Sequence, residues 1–200
     1  MSYWTSPLII MLAFAAYSGL HSVLAANAVK GWARRRFGEN LVSRIYRLFF
    51  NLVGVVTLFP IVFLVLWLPD LRLYTAPREL EYLFFLGQAI GILFIAASFG
   101  LTDIFDFLGL RQLINAERSP ELVVDGIYRY VRHPLYTGSM LFLWLIPTMT
   151  LNWLAFILGA SLYFIIGARY EERKLEKFYG KAYADYKART PAFVPWPRRA

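Results

Sequence analysis

The chain has 200 residues, 58% of them hydrophobic and 17% charged, with a net charge of +8, two histidines and no cysteine. A water-soluble domain carries about 25% charge, so an apolar excess gathered in long blocks marks an integral membrane protein. Without cysteine there are no disulfides, thiolate metal sites, iron–sulfur clusters or cysteine nucleophile. Two histidines are too few for an imidazole-rich metal centre, and the basic charge fits membrane topology and anionic headgroups rather than nucleic acid.

A helix needs roughly 20 apolar residues to cross a bilayer. The predicted spans are 7–26, 46–68, 82–101, a short fourth from 135 to 147, and 151–168. The first lacks a basic leader and reads as a span, not a cleavable signal. The last two are joined by the uncharged turn "PTMTLN" and read as a tight helical hairpin that stops short of the far headgroups. In the third span, Gly87 and Gly91 form a small-xxx-small pair suited to close helix packing. Lys30, Arg34, Arg35, Arg36 and Arg44 oppose only Glu39 in loop 27–45. Arg111, Arg118, Arg129 and Arg132 lie in 102–134, and nine Lys/Arg face four acids in 169–200. Basic flanks stay cytoplasmic, so the expected topology puts the N-terminus outside and the C-terminus inside, and a reporter on Ala200 tests it. The tail is a helix candidate extending the fifth span, with Gly180 as an interruption. Prolines then end the helix, with Phe193 and Trp196 at the interface.

Polar chemistry concentrates in two stretches. In "GIYRYVRHPLYTGSM", residues 126–140, Asp125-Gly126 makes a turn and Pro134 suits the first turn of a helix. Arg132 and His133 then sit at a helix N-terminus, with Tyr136 and Gly138 one turn in, where the missing side chain admits a close approach. Free N–H groups, a helix dipole, a guanidinium and an imidazole suit an anion or zwitterion. The plain alternative makes Arg129 and Arg132 topological anchors and His133 a cap. In the second stretch, Glu171 and Glu172 follow the last span, within helical reach of Arg169 and Lys174–Lys177. Tyr179, Tyr183 and Tyr186 recur on one face and otherwise read as interface packing. His21 and Ser22 close the first span, as a polar terminus or a substrate-facing pair.

Together, G-x-Y-x-x-x-R-H-P-x-Y-x-G and E-E-x-x-L-x-x-x-[FY]-G-x-x-Y-x-x-Y with a closing proline cover roughly residues 125–195. They resemble the isoprenylcysteine carboxyl methyltransferase and phospholipid methyltransferase superfamily. "GLHSVLAANAVKGW", "FDFLGLRQL" and "PTMT" are similar to its methanethiol S-methyltransferase and NnrU-type branch. The resemblance implies S-adenosylmethionine as methyl donor, bound without a Rossmann domain, and the chain has no G-x-G-x-x-G after a strand. Carried over by position, the donor pocket comprises Tyr128, Arg132, His133, Pro134, Tyr136, Gly138, Glu171, Glu172 and Tyr183. The methionine carboxylate suits Arg132 and the helix N-terminus, an ammonium or ribose suits a glutamate, and aromatic faces suit the sulfonium and adenine. Transfer to a small thiol needs the thiolate and no metal. His133, His21 and Asp106 are candidates to take the proton, and Arg111 and Gln112 to line the acceptor side. The competing readings are a lipophilic acceptor, such as a prenylcysteine carboxylate or a phospholipid amine, and a non-catalytic NnrU-like membrane protein. The expectation is an all-α protein of about five transmembrane helices in the bacterial inner membrane. It forms one domain over 1–200: three N-terminal helices over 1–101, then a cofactor-binding core with the hairpin and a cytoplasmic tail. Nothing in the sequence specifies an oligomeric state.

Overall fold

The computed structural model describes residues 2–114 and 121–195, so Arg118, Trp196 and Ala200 lie outside the described residues. Four helices are long and apolar enough to cross a membrane. They are α1 (Ser6–Ala25), α3 (Glu39–Trp67), α4 (Arg78–Leu101) and α8 (Leu151–Tyr179). The predicted fourth span is shorter than expected: α7 (Pro134–Trp144) has 11 residues, about 16 Å at 1.5 Å per residue. The chain is also not wholly helical, because Thr148–Thr150 of "PTMT" form a strand rather than a helical turn. Residues group into two compact units, each discontinuous in sequence.

The first unit holds residues to Leu71, Asp103–Ser119 and Leu151–Gly159. It contains α1, α2 (Asn27–Phe37), α3, the short α5 (Ile104–Leu108) and α6 (Leu110–Leu113), and the start of α8. α1 and α3 pack through a small-residue contact, since a Cβ on Gly54 would lie 2.7 Å from the His21 ring. Phe14 of α1 meets Phe156 edge to face at 5.6 Å. The end of α3 and the start of α8 share one polar knot. The buried Asn152 amide donates to the Leu68 carbonyl at 3.2 Å, and Asp70 Oδ1 accepts from the Asn152 N–H at 3.0 Å. Carbonyls at a helix end lack helical partners, so this knot supplies one.

The second unit holds Arg72–Thr102, Pro120–Thr150 and Ala160 onward. Strand β1 (Arg72–Thr75) pairs antiparallel with β2 (Thr148–Thr150), Tyr74 opposite Met149 and Thr75 opposite Thr148. α7 runs against α4 through two glycines. A Cβ on Gly138 would stand 2.5 Å from the Gly91 carbonyl, and one on Gly91 2.7 Å from the Gly138 carbonyl. The small pair in the third span therefore serves close packing, as its spacing predicts. α7 stops before Pro147, whose ring disfavours helix in the residue before it. The freed backbone is satisfied: Tyr74 Oη donates to the Ile146 carbonyl at 3.3 Å and the Ala76 N–H to that of Pro147 at 2.8 Å. Non-helical backbone is tolerated at membrane depth only when protein groups satisfy it in this way. α8 runs on without a break past the predicted end of the fifth span. It ends at Gly180, whose φ of +57° favours glycine, and α9 (Lys181–Arg189) follows.

Candidate active site

The 3-10 turn Gly126–Arg129 leads into His133, which precedes Pro134 at the first position of α7. The His133 side chain makes no capping bond, so the capping alternative is set aside. Instead, the tail folds over this point. The backbone N–H groups of Arg132 and His133 donate to the carbonyls of Pro191 and Ala192 at 2.9 and 3.0 Å. Thr137 Oγ1 donates to the Phe193 carbonyl at 2.8 Å. The N–H groups of residues 132 and 133, expected to be free for an anion, are thus taken by the tail.

Beneath this strap lies a buried ionic cluster. Glu172 Oε1 accepts from Arg132 Nε at 2.9 Å and Nη2 at 2.6 Å, and His133 Nε2 lies 3.1 Å from the same oxygen. Lys187 Nζ approaches Oε2 at 3.0 Å. Arg132 Nη1 donates to the carbonyls of Thr190 and Lys187. The Arg132 and Glu172 side chains are only 6% and 9% exposed. A buried charge persists only when paired and hydrogen-bonded, and both conditions hold here. Two expectations change. Arg132 does not present a free guanidinium to a ligand carboxylate, and Glu172 does not use helical-spacing partners. Arg132 is no mere topological anchor either. Arg129 by contrast is exposed and pairs on the surface with Asp125 at 3.7 Å.

Beside this cluster stand the half-exposed Glu171 and the buried His133 Nδ1, with the phenols of Tyr136 and Tyr183. Glu171 is half exposed, and its Oε2 lies 3.7 Å from His133 Nδ1 and accepts from Tyr136 Oη at 3.2 Å. The His133, Tyr136 and Phe164 rings stack in one column at 5.5 and 5.2 Å, nearly parallel, with Phe193 tilted against His133 at 5.6 Å. Phe193 therefore adds a fourth ring beside this column. Tyr183 is 1% exposed, and its hydroxyl has no hydrogen-bond partner among the described residues. Burial pushes its phenol well above the ordinary tyrosine value, and the charge of Glu172 adds to this. Tyr186 donates to the Tyr128 carbonyl at 2.7 Å. Tyr179 belongs to α8, while Tyr183 and Tyr186 are buried in α9, so the three do not share one helical face.

Gly138 is not an opening for a ligand, because α4 fills the space beside it. Lys187 and Thr190 escaped the sequence reading. Lys187 looked like one more basic tail residue, and its distance of 15 residues from Glu172 gives no helical signal.

The other candidates lie in the first unit. His21 is buried, stacked on Tyr17 at 4.8 Å and edge-on to Phe50 at 4.7 Å. Asp106 is engaged on both oxygens, with Arg47 Nη1 and Gln112 Nε2 each at 2.7 Å. Arg111 pairs with Asp103, whose other oxygen caps α5 through the N–H groups of Phe105 and Asp106. Asp106 and Arg111 are therefore both paired with side chains of the first unit. Gln112 is buried with its Oε1 unpartnered among the described residues.

The phospholipid methyltransferase family profile matches residues 82–182. A methanethiol S-methyltransferase of Pseudomonas deceptionensis is 32% identical over 98% of this chain and 76% of its own length. One from Mycobacterium tuberculosis is 31% identical over 90% and 74%. A protein-S-isoprenylcysteine O-methyltransferase of Arabidopsis thaliana is 32% identical, over 42% of this chain and 44% of its own. No solved structure gives a significant match. With its long apolar helices, its Arg-His-Pro turn bound to a Glu-Glu helix and these relatives, the chain belongs to the phospholipid methyltransferase family of membrane proteins.

Proposed function

We propose that the protein is an S-adenosylmethionine-dependent methyltransferase whose acceptor is a small thiol such as methanethiol. The observation that carries the thiol is coverage. Relatives named for methanethiol align over 88% to 98% of this chain, including the half outside the donor motifs. The isoprenylcysteine enzymes align over 42% or less. A lipophilic acceptor is the second reading, favoured by the family profile over residues 82–182.

The residues present fit the donor. The orphaned Tyr183 hydroxyl suits a polar ligand atom, and the half-exposed Glu171 suits an ammonium or a ribose. The His133–Tyr136–Phe164 column suits a sulfonium or a purine. Arg132 and Glu172 brace these groups, and the strap over residues 190–193 excludes water. The donor supplies a methyl group on a sulfonium, which a thiolate takes by in-line displacement. The protein's own part is to orient the two and to keep water out. The thiol must first lose its proton. Asp106, engaged by Arg47 and Gln112, is the least available base, which leaves His133 and His21. The C-terminus lies in the cytoplasm, as the basic flanks require.

Calorimetric titration of the purified, folded protein with S-adenosylmethionine tests the donor, and saturable binding is expected. Assays with methanethiol, a prenylcysteine and phosphatidylethanolamine test the acceptor. Preference for either lipophilic substrate would overturn the thiol, and absent donor binding would overturn both enzyme readings.

A further inference from the structure

The two oxygens of Glu172 are loaded unequally. Both Arg132 donors and the His133 ring converge on Oε1, whereas Lys187 Nζ faces Oε2 at 3.0 Å and Glu176 Oε1 at 2.8 Å. We infer that Lys187 is a positioning residue of the donor site, acting through Glu172 on the ring of His133. The inference rests on reading this cluster as the donor site.

The terminal torsion of a glutamate is broad, so donors on one oxygen do not fix the carboxylate plane. Arg132 does not make the two-oxygen fork that would fix it. Lys187 supplies the second point of attachment. With the plane fixed, Oε1 accepts from Nε2–H of His133, while Nδ1 lies 3.7 Å from Glu171 Oε2. The bond at one ring nitrogen sets the role of the other. Burial leaves little water to replace a lost donor, so Glu172 turns or takes a proton when Lys187 is removed.

The charge environment fits this role. Glu172 is faced by Arg132 and His133 from the segment before α7, by Lys187, Tyr183 and Tyr186 from α9, and by Glu171 and Glu176 along α8. Hydrogen bonds with Glu176 and Glu172 hold the Lys187 ammonium above the ordinary lysine value, so it stays charged through neutral pH.

The protein has two histidines, so His21→Gln leaves His133 as a single nitrogen-15 NMR probe. In the full-length His21→Gln protein the Nε2–H tautomer is expected. Adding Lys187→Gln should give a mixture of tautomers, and Lys187→Arg should restore the single form. A ring with the proton on Nδ1 in the His21→Gln protein would overturn the inference, independently of any donor binding. For function, Lys187→Gln should weaken S-adenosylmethionine binding on the order of tenfold, the size of one hydrogen bond to a charged group. It should also move the acid limb of binding to higher pH, because Glu172 loses a neighbouring positive charge. Glu176→Gln removes an acidic partner of Lys187 that does not touch His133 and should stay within about twofold of wild type. An unmoved acid limb in Lys187→Gln, or an equal loss in Glu176→Gln, would overturn the positioning role. Absent donor binding by the folded wild type, with the tautomer as expected, would instead count against the donor-site reading.

Discussion

The cluster around Glu172 and the cluster around Asp106 use similar side chains to different ends. Arg132 and Glu172 are 6% and 9% exposed, whereas Arg47 and Asp106 are 47% and 36% exposed. Both pairs are short, at 2.6 and 2.7 Å. Distance alone would rank them equal, but burial separates them. Losing a partner in the first cluster strands a charge away from water. In the second, solvent replaces the partner. What holds the second cluster is backbone fit: Gly109 has φ +89°, and a Cβ there would lie 2.5 Å from the Leu48 nitrogen.

Four substitutions would break or sharpen this contrast. Glu172→Gln should have the largest effect, about 3–5 kcal/mol of stability, measured by unfolding in detergent micelles. A loss under about 1 kcal/mol would erase the distinction between the clusters. Gly109→Ala comes next, at roughly 1–3 kcal/mol, because it adds a left-handed penalty to a backbone clash. Its unfolding midpoint should fall further than that of any charge substitution in the same cluster. Arg47→Gln should cost about 1 kcal/mol or less by the same measurement. Asp103→Asn should show its difference through pH. Burial opposes ionisation of Asp103, but the Asp106 N–H and Arg111 outweigh it and hold its carboxyl below the usual aspartate value. That stabilisation is complete above the unfolded-state pKa and is lost as pH falls through the folded one. Acid titration of stability should therefore be shallower in Asp103→Asn than in wild type, and identical curves would remove Asp103 from the account.

Much of this was legible in the sequence, for reasons that also mark where legibility stops. The four long helices announce themselves by apolar length, Gly180 by the end of the charged helix, and the glycines of α4 by their spacing. The Arg-His-Pro and Glu-Glu stretches were recognisable as motifs, but not as a pair bound to each other. A contact 40 residues apart leaves no periodic trace. Gly138 signalled a close approach without saying of what, and the answer is the backbone of α4. Residues 134–150 read as a helix into a turn because they are uncharged throughout and mostly apolar, and hydropathy does not distinguish helix from extended chain. Lys187 was hidden among charges that a membrane topology already explained.

The extended stretch after α7 has a consequence for counting passes. Residues of β2 advance at about 3.3 Å each, against 1.5 Å in a helix. The chain therefore reaches β1, just before the start of α4, with a helix of only 11 residues. A window of about 20 residues sees four passes in such a chain, and an even number assigns both termini to one compartment. The pairing of β2 with β1 ties the segment after α7 to the strand that precedes α4 without a helix of spanning length. Counting that segment as a pass changes the parity, so a reporter on the C-terminus reads out whether a two-stranded ladder belongs in the count.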